Sequence, residues 1–288
     1  MVRFFILCTF LLLPGIASAE DPLADLEKTV SQRSSLRPGL ENYSAQLVSD
    51  QIPEVFQRVV EKNPNQIPPS SAPELIRYWM RGKTALVAVR DNSINDIAQK
   101  TADYFSEQLA SGMDWPLVPE GRTEQRREIT SKAVVKSSET LFGETLLKRI
   151  ELTFEAPTSL KEAFYAQSFP LPQDGIVNLY IDLDSVTNTI QELGLLTSDG
   201  LKLTTEMRYA QVPGGHLLER VKITSPDGSI DDLVEIAYEK TEGFDLPVSF
   251  SQSVRRPSRQ GDLLVTFEDF KVNQSFAEEI LTRFEQQQ

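Results

Sequence analysis

Apolar residues recur along this chain in two rhythms, and the change from one to the other divides it. In DPLADLEKTVSQRS, Leu23, Leu26 and Val30 stand at helical spacing, which predicts a short amphipathic helix. LENYSAQLVS then alternates, with Tyr43, Ala45 and Leu47 on one side, as a half-buried strand does. IPEVFQRVVEK returns to helical spacing. Residues 63 to 74, NPNQIPPSSAPE, hold four prolines. Fixed φ angles and missing N–H groups exclude regular structure there, so a loop inside a domain is expected. SINDIAQKTADYFSEQLASG carries the clearest helix, with Ile94, Ile97, Ala98, Thr101, Phe105 and Leu109 on one face. Ser93 and Asp96 have the capping-box relationship, and Gly112 stands where the helix would stop.

Further along, the period becomes two. LLKRIELTF places Leu146, Ile150, Leu152 and Phe154 mostly on alternating positions, and IVNLYIDLDS does the same with Val177, Leu179, Ile181 and Leu183. TIQELGLLTS leads to Asp199-Gly200 and then to LKLTTEMRYA, with Leu201, Leu203, Met207 and Tyr209 on one face. ERVKITSP leads to Asp227-Gly228 and then to DLVEIAYEK, with Val234, Ile236 and Tyr238 on one face. Asp-Gly between alternating runs predicts hairpins with type I′ turns, which need positive φ at both central residues. With LPVSFSQSV and DLLVTFEDFKV, this makes an antiparallel meander of about eight strands or more. A sheet that wide curls or is covered, and its apolar face is filled by helices, by ligand, or by both. The chain closes on LLVTFEDFKVNQSFAEEILTRF, a last strand followed by a helix. There Phe276, Ile280, Leu281 and Phe284 are expected to cover apolar surface and blunt a strand edge.

The first residues set the compartment. MVRFFILCTFLLLPGIASA has the cation Arg3, an apolar run from Phe4 to Leu13, a Pro14-Gly15 break and small residues at Ala17 and Ala19. This is the order of a secretory signal peptide, residues 1–19, with cleavage before Glu20. The run is too short for a permanent bilayer anchor. Cys8 is the single cysteine and lies inside the run, so the exported chain has neither disulfides nor thiolate metal sites. A soluble periplasmic protein is expected, not an integral membrane protein. The 42 acidic residues against 29 Lys and Arg would repel a phosphate backbone, so no nucleic-acid partner is expected.

No catalytic constellation stands out. His216, in PGGHLLE, is the only histidine and reads as an exposed residue at the tip of a loop. No GxSxG elbow, HExxH helix, Walker loop or GxGxxG follows a strand. Asp182 and Asp184 share one side of a strand, whereas Asp231 and Asp232 point to opposite sides. In so acidic a chain these pairs are expected on a solvated face. TEQRREITSK, with Arg122, Arg126 and Arg127, offers a phosphate grip, but the interleaved Glu124 and Glu128 favour a solvated charged stretch. No enzyme activity, cofactor or metal is expected. Asn42 and Asn273 lie in glycosylation-type sequons, which carry meaning only in a eukaryotic secretory context.

Four stretches together resemble the LolA-like periplasmic lipoprotein carriers and their lipoprotein-sorting relatives. LENYSAQLVS, residues 40 to 49, is similar to the family's opening strand, and VNLYIDLDSVTNTIQELGLLTSDG, 177 to 200, to its strand-turn-strand unit. TEGFDLPVSFSQSVRRP, 241 to 257, resembles its G-x-x-L-P element through Gly243, Leu246 and Pro247. VTFEDFKVNQSFAEEI, 265 to 280, is similar to its closing strand and tail. The resemblance implies an α+β fold, a curved antiparallel sheet forming an unclosed β-barrel, with helices covering an apolar concave face that takes acyl chains. Residues 20–288 would form one such domain, with an unmatched insertion around 63–145.

The expected function is that of a periplasmic carrier for a lipid or lipoprotein acyl group, acting in lipoprotein sorting or envelope lipid transport. Its partners would be a lipid or acylated lipoprotein and an inner- or outer-membrane lipoprotein-handling protein. The cavity wall is expected at Ile150, Leu152, Phe154, Leu193, Leu203, Met207, Tyr209, Val234, Ile236, Tyr238, Val265 and Phe267. For any one of these, packing within an ordinary core is the competing reading. The alternative function is a non-enzymatic protein-interaction or envelope-regulatory module on the same scaffold, with the middle region as its contact surface.

Overall fold

A computed structural model describes residues 21, 23–33, 37–83, 85–90, 95–109, 118–119, 121–143, 145–165 and 169–286. The signal peptide expected at 1–19, and Ser93, Ile94 and Gly112, lie outside the described residues. The first amphipathic segment folds as α1 (Ala24–Arg33), followed by β1 (Asn42–Val48) and α2 (Ile52–Lys62). The proline-rich loop separates α2 from β2 (Leu75–Met80) and β3 (Leu86–Val89). Next come α3 (Asp96–Leu109) and α4 (Thr123–Thr130).

The meander then runs from β4 (Ala133–Phe142) and β5 (Thr145–Thr158) through β6 (Ile176–Asp184), β7 (Thr189–Thr197) and β8 (Lys202–Val212). It continues through β9 (Gly215–Thr224), β10 (Asp231–Thr241), β11 (Phe244–Arg256) and β12 (Arg259–Val272), and α5 (Glu278–Glu285) ends it.

All twelve described strands join one antiparallel sheet, in the order β3-β2-β1-β12-β11-β10-β9-β8-β7-β6-β5-β4. The last strand pairs with the first: Leu47 faces Phe267 and Tyr43 faces Val272. Asn273, at φ 51°, ties that joint, accepting from the Glu41 amide at 2.8 Å and donating to the Gly39 carbonyl at 2.8 Å. Edges β3 and β4 do not pair, so the fold is the expected α+β sheet, curled but unclosed. Residues 63–145, unmatched by the resemblance, supply both of those edge strands together with α3 and α4.

One cluster of buried side chains fills the inside of the curl. It takes Leu23 just before α1, Leu26 and Val30 from α1, Ala98, Ala102, Phe105 and Leu109 from α3, and inward residues from most strands. The segment between β5 and β6 folds inward as well, burying Leu160, Phe164, Tyr165 and Phe169. Asn95 caps α3, its side-chain oxygen accepting from the amides of Ile97 at 3.0 Å and Ala98 at 3.2 Å. The cap is therefore Asn95 rather than Ser93, and the helix face is as expected.

All four residues of β3 are buried, because opposite faces meet different helices. Val87 and Val89 look into the main core, while Leu86 and Ala88 pack with Ile280 and Phe284 of α5. Phe276 joins them, edge-on to Tyr78 at 5.2 Å. Of the four residues expected to cover this surface, Leu281 is the exception and stays 38% exposed.

Three local expectations are corrected. At Asp199-Gly200 and Asp227-Gly228 only the glycines have positive φ, 90° and 71°, so neither turn is type I′. Both are longer loops in which the aspartate side chain accepts from a hydroxyl, Thr197 in one and Ser225 in the other. Positive φ at both central residues occurs instead at Glu242 (50°) and Gly243 (90°), between β10 and β11. In β6 a bulge between Ile176 and Asn178 puts Ile176, not Val177, in the core. In β5 Leu147 is buried and Leu146 is 56% exposed, because the β4–β5 hairpin runs out beyond the core at that end.

Candidate functional site

The inner face of the sheet brings together all twelve residues expected to form a cavity wall. Ile150, Leu152, Phe154, Leu193, Leu203, Met207, Val234, Ile236, Val265 and Phe267 belong to the one buried cluster. Tyr209 and Tyr238 pack against it half-buried, and their hydroxyls donate to the carbonyls of Ile190 at 2.7 Å and Leu218 at 2.8 Å. Most of these side chains touch one another, the helices and the inward segment.

A small opening in the inner wall lies between the inward segment and the sheet. Phe169 and Pro170 stand over β9, β10 and β11 and leave a small apolar pocket with room for little more than a water molecule. Leu218, Val221, Ile223, Val234 and Ile236 line it, with Asp232 and Gln252 at its polar side. Of the twelve expected wall residues, Val234 and Ile236 reach this pocket.

Asp232, 2% exposed, sits where a solvated carboxylate was expected, and it is not solvated. Its Oδ2 accepts from Arg256 Nε at 2.5 Å and its Oδ1 from the Arg255 amide at 3.0 Å. Arg256 Nη2 reaches the Pro170 carbonyl at 2.7 Å. One guanidinium thus joins the pocket's covering segment to its wall. The register of β10 decides this: Asp232 shares the inward side with Val234 and Ile236, and the exposed side falls to Asp231.

Asp182 and Asp184 are buried too, against the expectation of a solvated face. Asp182 takes a two-pronged contact from Arg149, Nε to Oδ1 at 2.7 Å and Nη2 to Oδ2 at 2.6 Å. The same guanidinium lies 4.1 Å from the centroid of the Tyr180 ring, and the Tyr180 hydroxyl donates to Glu192 at 2.6 Å. Burial, then the Glu192 hydrogen bond, push the Tyr180 hydroxyl up to about 12. Asp184 turns to the β6–β7 loop and accepts from the Val186 amide at 2.8 Å.

Sequence reasoning missed three buried polar residues. Arg126, expected in a solvated stretch, is fully buried in α4 and grips Glu27 of α1 together with the carbonyls of Pro119 at 2.9 Å and Ala163 at 2.8 Å. The stretch is a helix whose outward residues are the solvated ones, such as Arg127 paired with Glu124. Arg77, 2% exposed on the inner side of β2, donates to the Tyr43 hydroxyl and lies between the rings of Tyr43 (5.5 Å) and Phe267 (5.6 Å). Its alternation with Leu75 and Trp79 was the available signal. Thr205, fully buried between Leu203 and Met207, has a hydroxyl with no hydrogen-bond partner among the described residues.

His216 stands half-buried in β9, beside the Pro213-Gly214 turn rather than at its tip. Among the described residues no three His, Cys, Asp or Glu side chains gather closely enough to hold a metal ion. No described helix is long and apolar enough to cross a membrane.

The architecture is that of an unclosed antiparallel barrel filled by helices. No protein-family model matches the sequence, and no curated protein matches it. Solved structures similar to the chain include one from Vibrio parahaemolyticus described as an outer membrane lipoprotein-sorting protein domain. It is 8% identical with a TM-score of 0.32, covering 91% of this chain and 97% of that one. A LolA superfamily protein from Nitrosomonas europaea is 9% identical with a TM-score of 0.26, over 88% and 96%. A chain of the Pseudomonas aeruginosa MucA/MucB complex is 10% identical with a TM-score of 0.21, over 88% and 100%. The first two carry the names of the group that the four sequence stretches resemble. At such TM-scores the likeness carries no argument of its own, and the fold rests on the strand order.

Proposed function

We propose that this protein is a non-enzymatic periplasmic binding protein that holds an apolar group, the acyl chain of a lipid or lipoprotein, against the inner face of its sheet. The observation that carries the reading is the small apolar pocket between Phe169-Pro170 and β9–β11, whose lining is part of the buried cluster behind it. Burial supplies about 0.8 kcal/mol per methylene, so an acyl chain needs few polar contacts to be held. Entry beyond the pocket requires the inward segment to move, and the Arg256 bond to the Pro170 carbonyl is one contact opposing that movement. Release to an envelope partner would use the same movement. The test is native mass spectrometry of protein purified from the periplasm, followed by organic extraction. A discrete bound lipid mass is expected. A clean unliganded mass, with no uptake of added phospholipid or acylated peptide, overturns the reading.

The filled interior favours a second reading, a protein-interaction module. Leu160, Phe164 and Leu193 are wholly buried by the chain itself, as in a core that needs no ligand. The same measurement separates the two, since a module keeps a clean mass when lipid is offered.

A further inference from the structure

The two edges of the sheet are finished differently. At β3, the Val87 amide donates to Ser106 Oγ of α3 at 2.7 Å, and its carbonyl accepts from Arg283 Nη2 of α5 at 3.3 Å. At β4, no hydrogen bond to the outer edge is made among the described residues. An uncovered edge is a row of free N–H and C=O groups, ready to pair with another strand. Apolar side chains lie exposed along the same hairpin: Val134 at 55%, Leu141 at 72% and Leu146 at 56%.

The sequence of β4, AVVKSSETLF, fits itself. When an antiparallel strand pairs with its own copy about a two-fold axis, each face of the sheet stays on one side. Residues can then stand opposite each other only when their numbers sum to an even value. The register centred on Ser138 sets Val135 opposite Leu141, Lys136 opposite Thr140 and Ser137 opposite Glu139, with no like charges directly opposed. Within one chain Leu141 already faces Leu146, and Val135 faces Leu152. The pairing therefore makes an unbroken apolar row from Leu146 and Leu141 of one copy to Val135 and Leu152 of the other. The neighbouring even register, centred on Ser137, would oppose Val135 to Glu139 instead.

We propose that β4 is a self-association edge, pairing with β4 of a second copy about a two-fold axis through Ser138 and joining two twelve-stranded sheets into one. The interface spans about ten residues a side, fewer than the roughly 20–30 of a standard interface, so the dimer is weak and reversible. This inference is independent of what the interior binds.

Sedimentation velocity over roughly 5 to 500 µM is expected to show a monomer giving way to a dimer as concentration rises. Leu141→Glu, at an exposed position, should raise the dimer dissociation constant at least about tenfold without altering the circular dichroism. In a Cys8→Ser background, Ser138→Cys should cross-link under mild oxidation, since paired strands hold facing Cα atoms at about 4.5–5.5 Å. Lys136→Cys, whose copies lie four residues out of register, is the control. A single monomeric species across the whole range overturns the proposal, including one that captures an extended peptide at this edge. So does a Ser138→Cys variant that cross-links no faster than the control.

Discussion

The buried guanidinium of Arg126 closes on both carboxylate oxygens of Glu27, Nε to Oε1 at 2.6 Å and Nη2 to Oε2 at 3.0 Å. This pair fastens α4 to α1, and through the Ala163 carbonyl it also holds the segment that fills the barrel. Arg126→Met is expected to cost about 3 kcal/mol or more, because it strands a partly buried carboxylate and two carbonyls that had accepted from the guanidinium. Urea denaturation of the variant against the parent measures it.

The same pair gives a pH dependence. Burial by itself would raise the Glu27 carboxyl, but hydrogen bonds from Arg126 and Thr123, with the charges of Arg126 and Arg127, hold it below its ordinary value of 4.5. A carboxyl depressed in the folded state stabilises the fold above its unfolded pKa, and that contribution disappears as pH falls through the folded value. Melting temperatures recorded from about pH 7 down to about pH 3 should fall at the acid end, and Glu27→Gln should flatten that part of the curve. An unchanged slope in Glu27→Gln counts against the assignment.

Gly194 stands opposite Tyr180 in the β6–β7 ladder, and a Cβ there would lie 2.0 Å from the tyrosine ring. Gly194→Ala should therefore destabilise by about 1–3 kcal/mol, as overpacking does, by driving the ring off Arg149. In a Tyr180→Ala background the added methyl should cost almost nothing. A double-mutant cycle with no coupling would refute the close approach.

Thr205 carries a buried hydroxyl with no hydrogen-bond partner among the described residues. Thr205→Val keeps the shape and removes the unsatisfied group, so stability should rise by about 1 kcal/mol. A loss of stability would mean that the hydroxyl has a partner in solution.

The pocket reading has its own variant. Val221→Trp overfills the space under Phe169 and should weaken uptake of a fluorescent fatty acid at least about tenfold, at a packing cost of about 3 kcal/mol. Leu264→Trp, at an exposed position on β12, should leave uptake unchanged. Equal effects of the two would remove the pocket from the binding site.

Period, and the placing of turns at Asp199-Gly200 and Asp227-Gly228, determined much of this fold from the sequence alone. Leu23, Leu26 and Val30, or Tyr43, Ala45 and Leu47, can bury themselves in only one way, because the helical and strand periods fix which side chains share a face. The shared inward face of the twelve residues expected at the wall was legible for the same reason. Other features needed the tertiary structure. β3 reads LVAV with no alternation, since one helix covers each face, and β2 was obscured by an arginine at an inward position. Asp182, Asp232 and Arg126 look like surface charge in one dimension. Each becomes a buried polar residue because its partner is distant in sequence: Arg149, Arg256 and Glu27 respectively. Spacing fixes the face a residue occupies, whereas what meets that face depends on strand register and on the helices that the curl encloses.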